Sequence, residues 1–283
     1  MLTYEKQVDE LILNALAEDI GEGDHSTLSC IPEDAKGSAI LKIKEDGILA
    51  GVDVAKRIFA LKDPSAVFGD AMVDGQIIQE GEIAFEVESG MRIILNVERV
   101  VLNIMQRMSG IATLTAQYAD KLTGYKTKLL DTRKTTPNFR VLEKEAVRIG
   151  GGFNHRMGLY DMIMLKDNHI DYAGGIRKAI EMAHEYVQRN DLGLKIEIET
   201  RNLEEVQIVM EIGKVDRIML DNFEIAALRD ALKIIQGRFE TEASGGINLD
   251  NIRHFADTGV DFVSAGALIH QARSLDLSLK AKR

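Results

Sequence analysis

Four short runs of sequence decide the fold of this chain: IEIE at residues 196–199, IMLD at 218–221, TEAS at 241–244 and FVSAG at 262–266. Each run ends in a polar or small residue, and the successive ends lie 22, 23 and 22 residues apart. The gaps between them have the apolar spacing of helices, at residues 203–212, 225–235 and 249–256. Strands that alternate with helices predict a parallel sheet, and the near-regular spacing favours a closed barrel over an open sheet.

Two earlier runs extend the predicted sheet: LLD at residues 129–131 and MIMLK at residues 162–166. The total is six strands, whereas a complete barrel of this class has eight. Either the barrel is incomplete, or two more strands lie in segments whose sequence is typical of loops.

The amino-terminal part of the chain has a different pattern. Residues 3–19 have the apolar spacing of a helix that ends at Gly21, and residues 54–61 predict a second, short helix. Residues 39–44 and 83–88 alternate between apolar and polar side chains, as half-buried strands do. This combination predicts an α+β unit with an antiparallel sheet.

A long helical stretch at residues 91–123 follows, and Ser109-Gly110 predicts a break between two helices within it. We therefore expect a first domain at residues 1–110 and a barrel domain at residues 111–273. The remaining residues, 274–283, are expected to form a tail that packs on the first domain.

The composition excludes several classes of protein. The chain has 283 residues, of which 45% are hydrophobic and 28% are charged, and its formal net charge is −10. Such an acidic chain is a poor candidate for general attraction to nucleic acid or to anionic membranes. Its single cysteine, Cys30, excludes an intrachain disulfide and a cysteine-rich zinc site. The first 20 residues are too charged for a signal peptide and no apolar run is long enough to cross a bilayer, so we expect a cytoplasmic protein.

Candidate site residues lie directly after the predicted strands. In a parallel barrel the loops at the carboxyl ends of the strands converge on one opening, which holds the functional groups. Charged residues at one strand end after another are typical of a binding site, although any single one is more often a solvated loop charge. The residues at these ends are Asp131, Thr132, Arg133, Lys134, Lys166, Glu199, Asp221, Ser244, Gly245, Gly246, Ala265, Gly266 and Ala267.

Residues 131–170 form a cationic segment in an acidic chain, with seven lysines and arginines against five acids. We expect Lys144 and Arg148 to face solvent on a helix. Arginine binds carboxylates and phosphates through paired hydrogen bonds, so cations near strand ends predict a small ligand with several negative charges. The candidates beside strand ends or glycine-rich turns are Arg133, Lys134, His155, Arg156 and Lys166.

Two small-residue turns, SGG at residues 244–246 and AGA at residues 265–267, follow the last two strands and each precedes a helix. Small residues let backbone N–H groups approach a phosphate at such a position. Glu199 and Asp221 lie at neighbouring strand ends, where acids could hold Mg²⁺, bind sugar hydroxyls or stabilise positive charge in a transition state. They could equally pair with the nearby cations.

The longer motifs of the chain resemble those of the quinolinate phosphoribosyltransferases, a type II phosphoribosyltransferase family also called nicotinate-nucleotide pyrophosphorylases (carboxylating). The resemblance covers nearly the whole chain, and its longest motifs are QRMSGIAT at residues 106–113 and DTRKTTP at residues 131–137. The other matching motifs are GGFNHR (151–156), KDNH (166–169), EIE (197–199), LDN (220–222), SGG (244–246) and AGAL (265–268).

This resemblance implies an α/β fold with an incomplete, six-stranded barrel, an amino-terminal α+β sandwich domain, and a homodimer or a higher oligomer built from it. It also implies an enzyme that transfers phosphoribosyl from 5-phosphoribosyl 1-pyrophosphate to quinolinate with decarboxylation, in NAD synthesis. The products are nicotinate mononucleotide, pyrophosphate and CO₂, and the cofactor is Mg²⁺.

The resemblance further implies roles for individual residues. Lys134, Lys166, Glu199 and Asp221 would be catalytic, and the two acids would hold Mg²⁺ directly or through pyrophosphate or water. Arg99, on the long helix, would reach into the partner subunit's site. The implied substrate-binding set is Arg99, Thr132, Arg133, Lys134, His155, Arg156, Lys166, His169, Glu199, Asp221, Ser244, Gly245, Gly246, Ala265, Gly266 and Ala267.

The residues alone leave three alternatives open. A lyase or aldolase could use Lys166 at its strand end as a Schiff-base amine. A non-catalytic anion-binding protein could use the same scaffold, since a fold does not fix a function. A paralogue could act on another pyridine or on a purine base, although two arginines and a histidine favour a dicarboxylate.

Overall fold

The computed structural model describes residues 3–282, and these fall into two compact units. The described residues of Met1–Ala116, Thr135–Gly151 and Leu268–Arg283 make up the first unit, and Gln117–Lys134 with Gly152–Ala267 make up the second. Each unit is built from separate stretches of the chain, whereas the domains expected at 1–110, 111–273 and 274–283 are contiguous. None of the described helices has the length and apolar character needed to cross a membrane.

The helices and strands follow one another in chain order. The elements up to the long helix are α1 (Tyr4–Ile20), α2 (His25–Cys30), β1 (Lys36–Ile43), β2 (Gly47–Ile48), α3 (Val52–Lys62), β3 (Val67–Phe68), β4 (Ile77–Ile78), β5 (Ile83–Gly90) and α4 (Met91–Lys121). The elements after it are β6 (Lys128–Leu130), α5 (Arg140–Ile149), β7 (Ile163–Leu165), α6 (Asp167–Ala173), α7 (Ile176–Arg189), β8 (Ile196–Thr200), α8 (Leu203–Ile212), β9 (Arg217–Asp221), α9 (Ile225–Ile235), β10 (Glu240–Ser244), α10 (Ile252–Ala256), β11 (Phe262–Ser264), α11 (Ala267–His270) and β12 (Leu277–Ala281).

The first unit is organised around an antiparallel sheet with the strand order β12-β1-β5-β3, and β2 pairs separately with β4. Leu41 of β1 pairs with Leu279 of β12 on one side and with Phe85 of β5 on the other, and all three side chains are buried. The predicted α+β unit and its antiparallel sheet are confirmed. The last described strand of the chain is an edge strand of this sheet.

Helix α4 is continuous from Met91 to Lys121, so the break predicted at Ser109-Gly110 is wrong. Both residues instead permit close packing within the first unit. Ser109 Oγ accepts the backbone N–H of Ala50 at 2.9 Å, and a Cβ atom added at Gly110 would overlap the carbonyl oxygen of Arg273. The glycine is therefore explained by another stretch of backbone that passes against the helix, and not by a helix end.

The second unit contains a six-stranded parallel sheet with the order β6-β11-β10-β9-β8-β7. Its edge strands β6 and β7 are consecutive in the sequence, yet in the described part of the chain no pairing joins them. The sheet is thus a barrel that stays open along one side. The prediction of an incomplete barrel with six strands is confirmed.

Strand β8 shows how the sequence builds this sheet. Ile196 and Ile198 alternate with Glu197 and Glu199, so one face of the strand is apolar and the other is charged, and all four side chains are buried. Helix α8 follows, and the side chain of its N-cap Asn202 accepts the backbone N–H of Glu205. The helices predicted at 203–212 and 225–235 are confirmed, and the one predicted at 249–256 begins later, at Ile252.

Helix α5 differs from the expectation at Lys144, which is fully buried and does not face solvent. Lys144 lies three residues after Val141 and three before Val147, so it shares the buried stripe of the helix with them. Arg148 is on the exposed side as predicted, where it pairs with Glu145 at 2.5 Å.

Candidate active site

Six strand ends of the second unit lie at one edge of its sheet because the strands are parallel. The register confirms that Ser244 at the end of β10 is level with Asp221 at the end of β9. The predicted strand-end residues are thus brought to a single edge by five of the six strands and by the loop after β6. They are Asp131, Thr132, Arg133, Lys134, Lys166, Glu199, Asp221, Ser244, Gly245, Gly246, Ala265, Gly266 and Ala267.

Lys166 and Glu199 form an ion pair at this edge, with 3.1 Å between Nζ and Oε2. The lysine side chain is 45% exposed and the glutamate side chain 10%. The cation is therefore accessible to solvent, whereas the carboxylate that it pairs with is nearly buried. The backbone N–H of Lys166 also donates to His169 Nδ1 at 3.0 Å, which satisfies one of the free amides at the start of α6. In this arrangement the exposed His169 orients the segment of Lys166.

Arg133 and Arg156 lie close enough for their charges to interact. Burial and the nearby charge of Arg133 both lower the pKa of Arg156. Arg156 Nη1 contacts the carbonyl oxygen of Met162 at 3.4 Å, and Arg133 Nε is buried with no hydrogen-bond partner in the described part of the chain. A pair of partly buried cations with an unsatisfied donor is an arrangement that an anionic ligand would complete.

Asp131 joins the two cationic segments. It is fully buried at the end of β6, and its Oδ1 accepts the backbone N–H of His155 at 2.8 Å. In the following loop, Thr132 Oγ1 accepts the backbone N–H of Lys134 at 3.0 Å. The sequence placed Asp131 only among the strand-end residues, but the structure makes it the link between residues 131–134 and residues 155–156.

The turns after β9 and β10 are packed against each other. The backbone N–H of Asn222 donates to the carbonyl oxygen of Ser244 at 2.8 Å, and Asp221 Oδ2 accepts from Asn222 Nδ2 at 2.7 Å. A Cβ atom added at Gly245, whose φ is +97°, would overlap the side chain of Asn222. Glycine is therefore required here by both its conformation and its neighbour.

Sequence reasoning missed three charged residues that lie beneath these strand ends: the buried Glu197 and Glu242 and the mostly buried Arg217. His155 Nε2 lies 3.0 Å from Glu197 Oε2 and 3.3 Å from Glu242 Oε2. Burial opposes the charged form of the imidazole, but the two carboxylates outweigh it and raise the pKa of His155 to about 9. In the structure Nδ1 accepts the backbone N–H of Arg156 at 2.7 Å. Only a neutral ring, whose Nδ1 carries no proton, can accept this hydrogen bond, so protonation of Nδ1 would break it. The available signal was a pair of acids inside predicted strands, where apolar residues are usual.

The side chains of His155, Glu197 and Glu242 are close enough to share a metal ion. However, Arg217 Nη1 already lies 3.1 Å from Glu242 Oε2 and 3.9 Å from Glu197 Oε2. A guanidinium therefore provides the positive charge that an ion would bring. Among the predicted site residues, the oxygen donors suited to Mg²⁺ are Glu199 and Asp221, which lie on adjacent strands.

Arg99 belongs to the first unit, where it is exposed on α4. Every other predicted site residue belongs to the second unit.

Thr136 is held by a buried carboxylate within the first unit. Glu143 is fully buried and accepts the backbone N–H and the hydroxyl of Thr136, at 2.8 and 2.9 Å. Arg107 pairs with the same carboxylate at 2.8 Å and also donates to the carbonyl oxygens of Ile269 and Ala272. Four hydrogen bonds thus satisfy Glu143.

Comparison with known proteins gives one consistent family. The family described as "Quinolinate phosphoribosyl transferase, N-terminal domain" matches residues 24–109, and its C-terminal domain matches residues 111–280. The Nicotiana glauca protein "Quinolinate phosphoribosyltransferase [decarboxylating] 2, mitochondrial" is 44% identical, over 98% of this chain and 82% of that protein. A Synechocystis protein, "Probable nicotinate-nucleotide pyrophosphorylase [carboxylating]", is 43% identical over 98% of this chain and 93% of its own length.

Solved structures agree with these relatives. The crystal structure of NadC from Streptococcus pyogenes is 40% identical, with a TM-score of 0.91 and coverage of 100% of this chain and 99% of that chain. The nicotinate-nucleotide pyrophosphorylase from Francisella tularensis is 39% identical, with a TM-score of 0.90 and coverage of 100% and 98%.

The buried carboxylate of Glu143 supplies the first prediction. We expect Glu143→Gln to lower the free energy of unfolding by about 3–5 kcal/mol, the cost of removing one partner of a buried ion pair. Urea unfolding measures this change. Glu145→Gln on the same helix is the matched control, because Glu145 pairs with the exposed Arg148 and its loss should cost about 1 kcal/mol or less. A Glu143→Gln protein as stable as the control variant would contradict the assignment.

Proposed function

The chain belongs to the quinolinate phosphoribosyltransferase family, and from this premise we propose how its residues transfer phosphoribosyl from 5-phosphoribosyl 1-pyrophosphate to quinolinate. Decarboxylation accompanies the transfer, and the products are nicotinate mononucleotide, pyrophosphate and CO₂. The observation that carries the proposal is the convergence of Arg133 and Arg156, with an unsatisfied buried donor, at the edge where Lys166 and Glu199 meet.

The acceptor is a pyridine with two adjacent carboxylates, and the two arginines suit it. Each guanidinium can donate paired hydrogen bonds to one carboxylate, and the partly buried position strengthens these bonds relative to water. Lys134 and Lys166 complete the cationic lining, His155 holds the backbone N–H of Arg156 beside it, and Thr132 orients the backbone at Lys134. In an acidic protein, such a lining concentrates the dianion at one place.

The donor substrate needs a site for its 5′-phosphate. The turns at 244–246 and 265–267 follow the last two strands, and Gly245 and Gly246 have left-handed backbone conformations with φ of +97° and +63°. Because glycine has no side chain, the backbone N–H groups of this turn can approach a phosphate oxygen closely. This supports placing the phosphate at these two turns and the ribose toward Glu199 and Asp221.

Glycosyl transfer creates positive charge on the ribose as pyrophosphate leaves. The carboxylates of Glu199 and Asp221 stabilise that charge, while Lys166 faces the departing anion. When bound, Mg²⁺ neutralises the pyrophosphate, and Glu199 and Asp221 are the residues that would hold it, directly or through pyrophosphate or water. The two substrates are held so that the pyridine nitrogen faces ribose C1.

Decarboxylation follows from the first step. Once the ring nitrogen is bonded to the ribose it carries positive charge, and this charge stabilises the electron pair left on the adjacent ring carbon as CO₂ leaves. A proton from solvent then takes the place of the carboxylate on that carbon. No covalent enzyme nucleophile is needed. The only cysteine, Cys30, is in the first unit and is exposed there.

One assay tests the function as a whole. The protein is incubated with labelled quinolinate, 5-phosphoribosyl 1-pyrophosphate and Mg²⁺, and CO₂ and nicotinate mononucleotide are followed. Binding of both substrates without CO₂ release would indicate a non-catalytic protein. Covalent trapping of a carbonyl substrate on Lys166 by borohydride, without pyrophosphate release, would indicate the Schiff-base alternative.

The quaternary arrangement and location are part of the proposal. Arg99 completes the site of the partner subunit in a homodimer, and its exposed position on α4 leaves the cationic side chain accessible to a partner. The proposed location is cytoplasmic, although the Nicotiana glauca relative is named as mitochondrial.

The two arginines give the second prediction. We expect Arg133→Ala and Arg156→Ala each to weaken quinolinate binding by about 10- to 100-fold, because each removes a charge-assisted hydrogen bond worth about 1.5–3 kcal/mol. Calorimetric titration with quinolinate measures the affinity, and thermal unfolding checks the fold. Arg189→Ala, an exposed arginine at the end of α7, is the control. Parental affinity in either variant would refute the pocket.

The third prediction separates charge balance from catalysis at the acids. We expect Glu199→Gln and Asp221→Asn to retain quinolinate affinity but to lower kcat by roughly 10²-fold or more, the scale for one preorganised electrostatic group. Equilibrium binding and steady-state turnover at saturating Mg²⁺ are compared, with the exposed Glu204→Gln as control. If the acids only balanced the cations, anion binding would tighten and kcat would stay near the parental value.

The fourth prediction concerns Arg99. Arg99→Ala and Lys166→Ala subunits are each expected to be inactive, and mixing them should restore one working site in each heterodimer. Activity after subunit exchange is compared with that of the separate parents. Exchange demonstrated by mass spectrometry, with no recovery of activity, would place Arg99 outside the partner's site.

A further inference from the structure

A second layer of charged side chains lies one strand repeat below the proposed site. Glu197 is two residues before Glu199 on β8, and Glu242 is two residues before Ser244 on β10, so each points to the same face as its site neighbour. Both glutamate side chains are fully buried. Arg217 begins β9, four residues before Asp221.

These residues form a connected set with His155. The two carboxylates lie 3.0 and 3.3 Å from His155 Nε2, and Arg217 Nη1 lies 3.1 Å from Glu242 Oε2. On its other side, Arg217 stacks on the ring of Phe262 at 4.1 Å from the ring centroid. The order of contacts runs from Arg217 through the glutamates to the histidine.

Such a set is a poor way to stabilise a barrel. Two carboxylates moved from water into the interior lose hydration that their partners only partly replace, and well-packed apolar side chains of similar volume are often as stabilising or more so. The neighbouring interior position on β9, Met219, shows that an apolar residue fits this layer of the sheet. A role beyond stability is therefore the better explanation of the charges.

The set ends at the cationic pocket. Asp131 Oδ1 accepts the backbone N–H of His155, the glutamates contact Nε2, and the backbone N–H of Arg156 meets Nδ1. The imidazole is thus held at Nε2 by the two glutamates and at Nδ1 by the backbone N–H of Arg156. A shift of the ring would move the peptide that carries the Arg156 guanidinium.

We infer that Glu197, Glu242 and Arg217 are positioning residues that hold His155, and through it Arg156, in the geometry that binds the acceptor's carboxylates. The inference rests on the proposed function, since it takes Arg156 to contact quinolinate. Arg217 is the sharpest probe, because it begins its strand at the end opposite the site and reaches the substrate only through the glutamates.

The test compares Arg217→Met, Arg217→Lys and Glu242→Gln with Lys195→Met. Lys195 is the matched control because it pairs with the partly exposed Glu240, at 3.5 Å, and not with the buried glutamates. We expect Arg217→Met and Glu242→Gln to raise KM for quinolinate by about tenfold or more, on the scale of one charge-assisted hydrogen bond. KM for 5-phosphoribosyl 1-pyrophosphate should stay within about twofold, the experimental spread for an untouched site, and Arg217→Lys should recover most of the loss.

A second variant serves as the control for misfolding. Arg217→Met leaves two buried carboxylates with less positive charge, and if it does not fold, the double variant Arg217→Met/Glu242→Gln removes one charge of each sign and takes its place. Parental quinolinate KM in a folded variant would overturn the inference. An equal loss for both substrates together with a lower thermal midpoint would also overturn it, because a purely structural role predicts that result.

A measurement that does not depend on enzyme activity separates this inference from the proposed function. The imidazole NMR signals of His155, assigned by their loss in His155→Gln, are expected to shift in Arg217→Met and Glu242→Gln but not in Lys195→Met. Unchanged signals would refute positioning even in an active enzyme. If the parent protein does not turn over quinolinate but the signals shift, the proposed function fails and the positioning of His155 stands.

Discussion

The parallel pairing of six strands is the constraint on which the rest of the second unit depends. Parallel strands have all their carboxyl ends at one edge, and residues far apart in sequence are brought together there by the register alone. The same alternation that buries Ile196 and Ile198 on one face sends Glu197 and Glu199 to the other. A hydrophobic core on one side of each strand and a charged site on the other therefore have a single cause.

Placing charges inside the sheet creates an energetic problem that the structure solves in layers. At the edge, Glu199 is nearly buried and pairs with the half-exposed Lys166, so solvent still reaches the cation. One repeat deeper, water is excluded, and Glu197 and Glu242 are compensated by Arg217 and His155. The upper layer can exchange partners with a charged substrate, whereas the lower layer is enclosed by protein partners.

A buried carboxylate also defines the start of the loop that carries Arg133 and Lys134. Asp131 accepts the backbone N–H of His155 and so ties the first residue of the loop to residues 155–156. The loop also contains its own hydrogen bond, from the Lys134 amide to Thr132. Side chains that must meet a dianion are thereby held on backbone whose conformation is set by groups that do not need the ligand.

The sequence by itself determined the local structure and the location of the candidate site. Period-two alternation in strands such as 196–199, the helices between them, and the polar residues at strand ends all follow from side-chain spacing, and the long motifs identified the family. Only the tertiary structure decided that Lys144 is buried, that helix α4 continues through Gly110, and that Glu197 and Glu242 share His155. The physical reason is that spacing reports which face of an element a side chain occupies. What that face meets is set by contacts between residues distant in the chain, such as Gly110 with Arg273 or His155 with Glu242, and no local pattern encodes them.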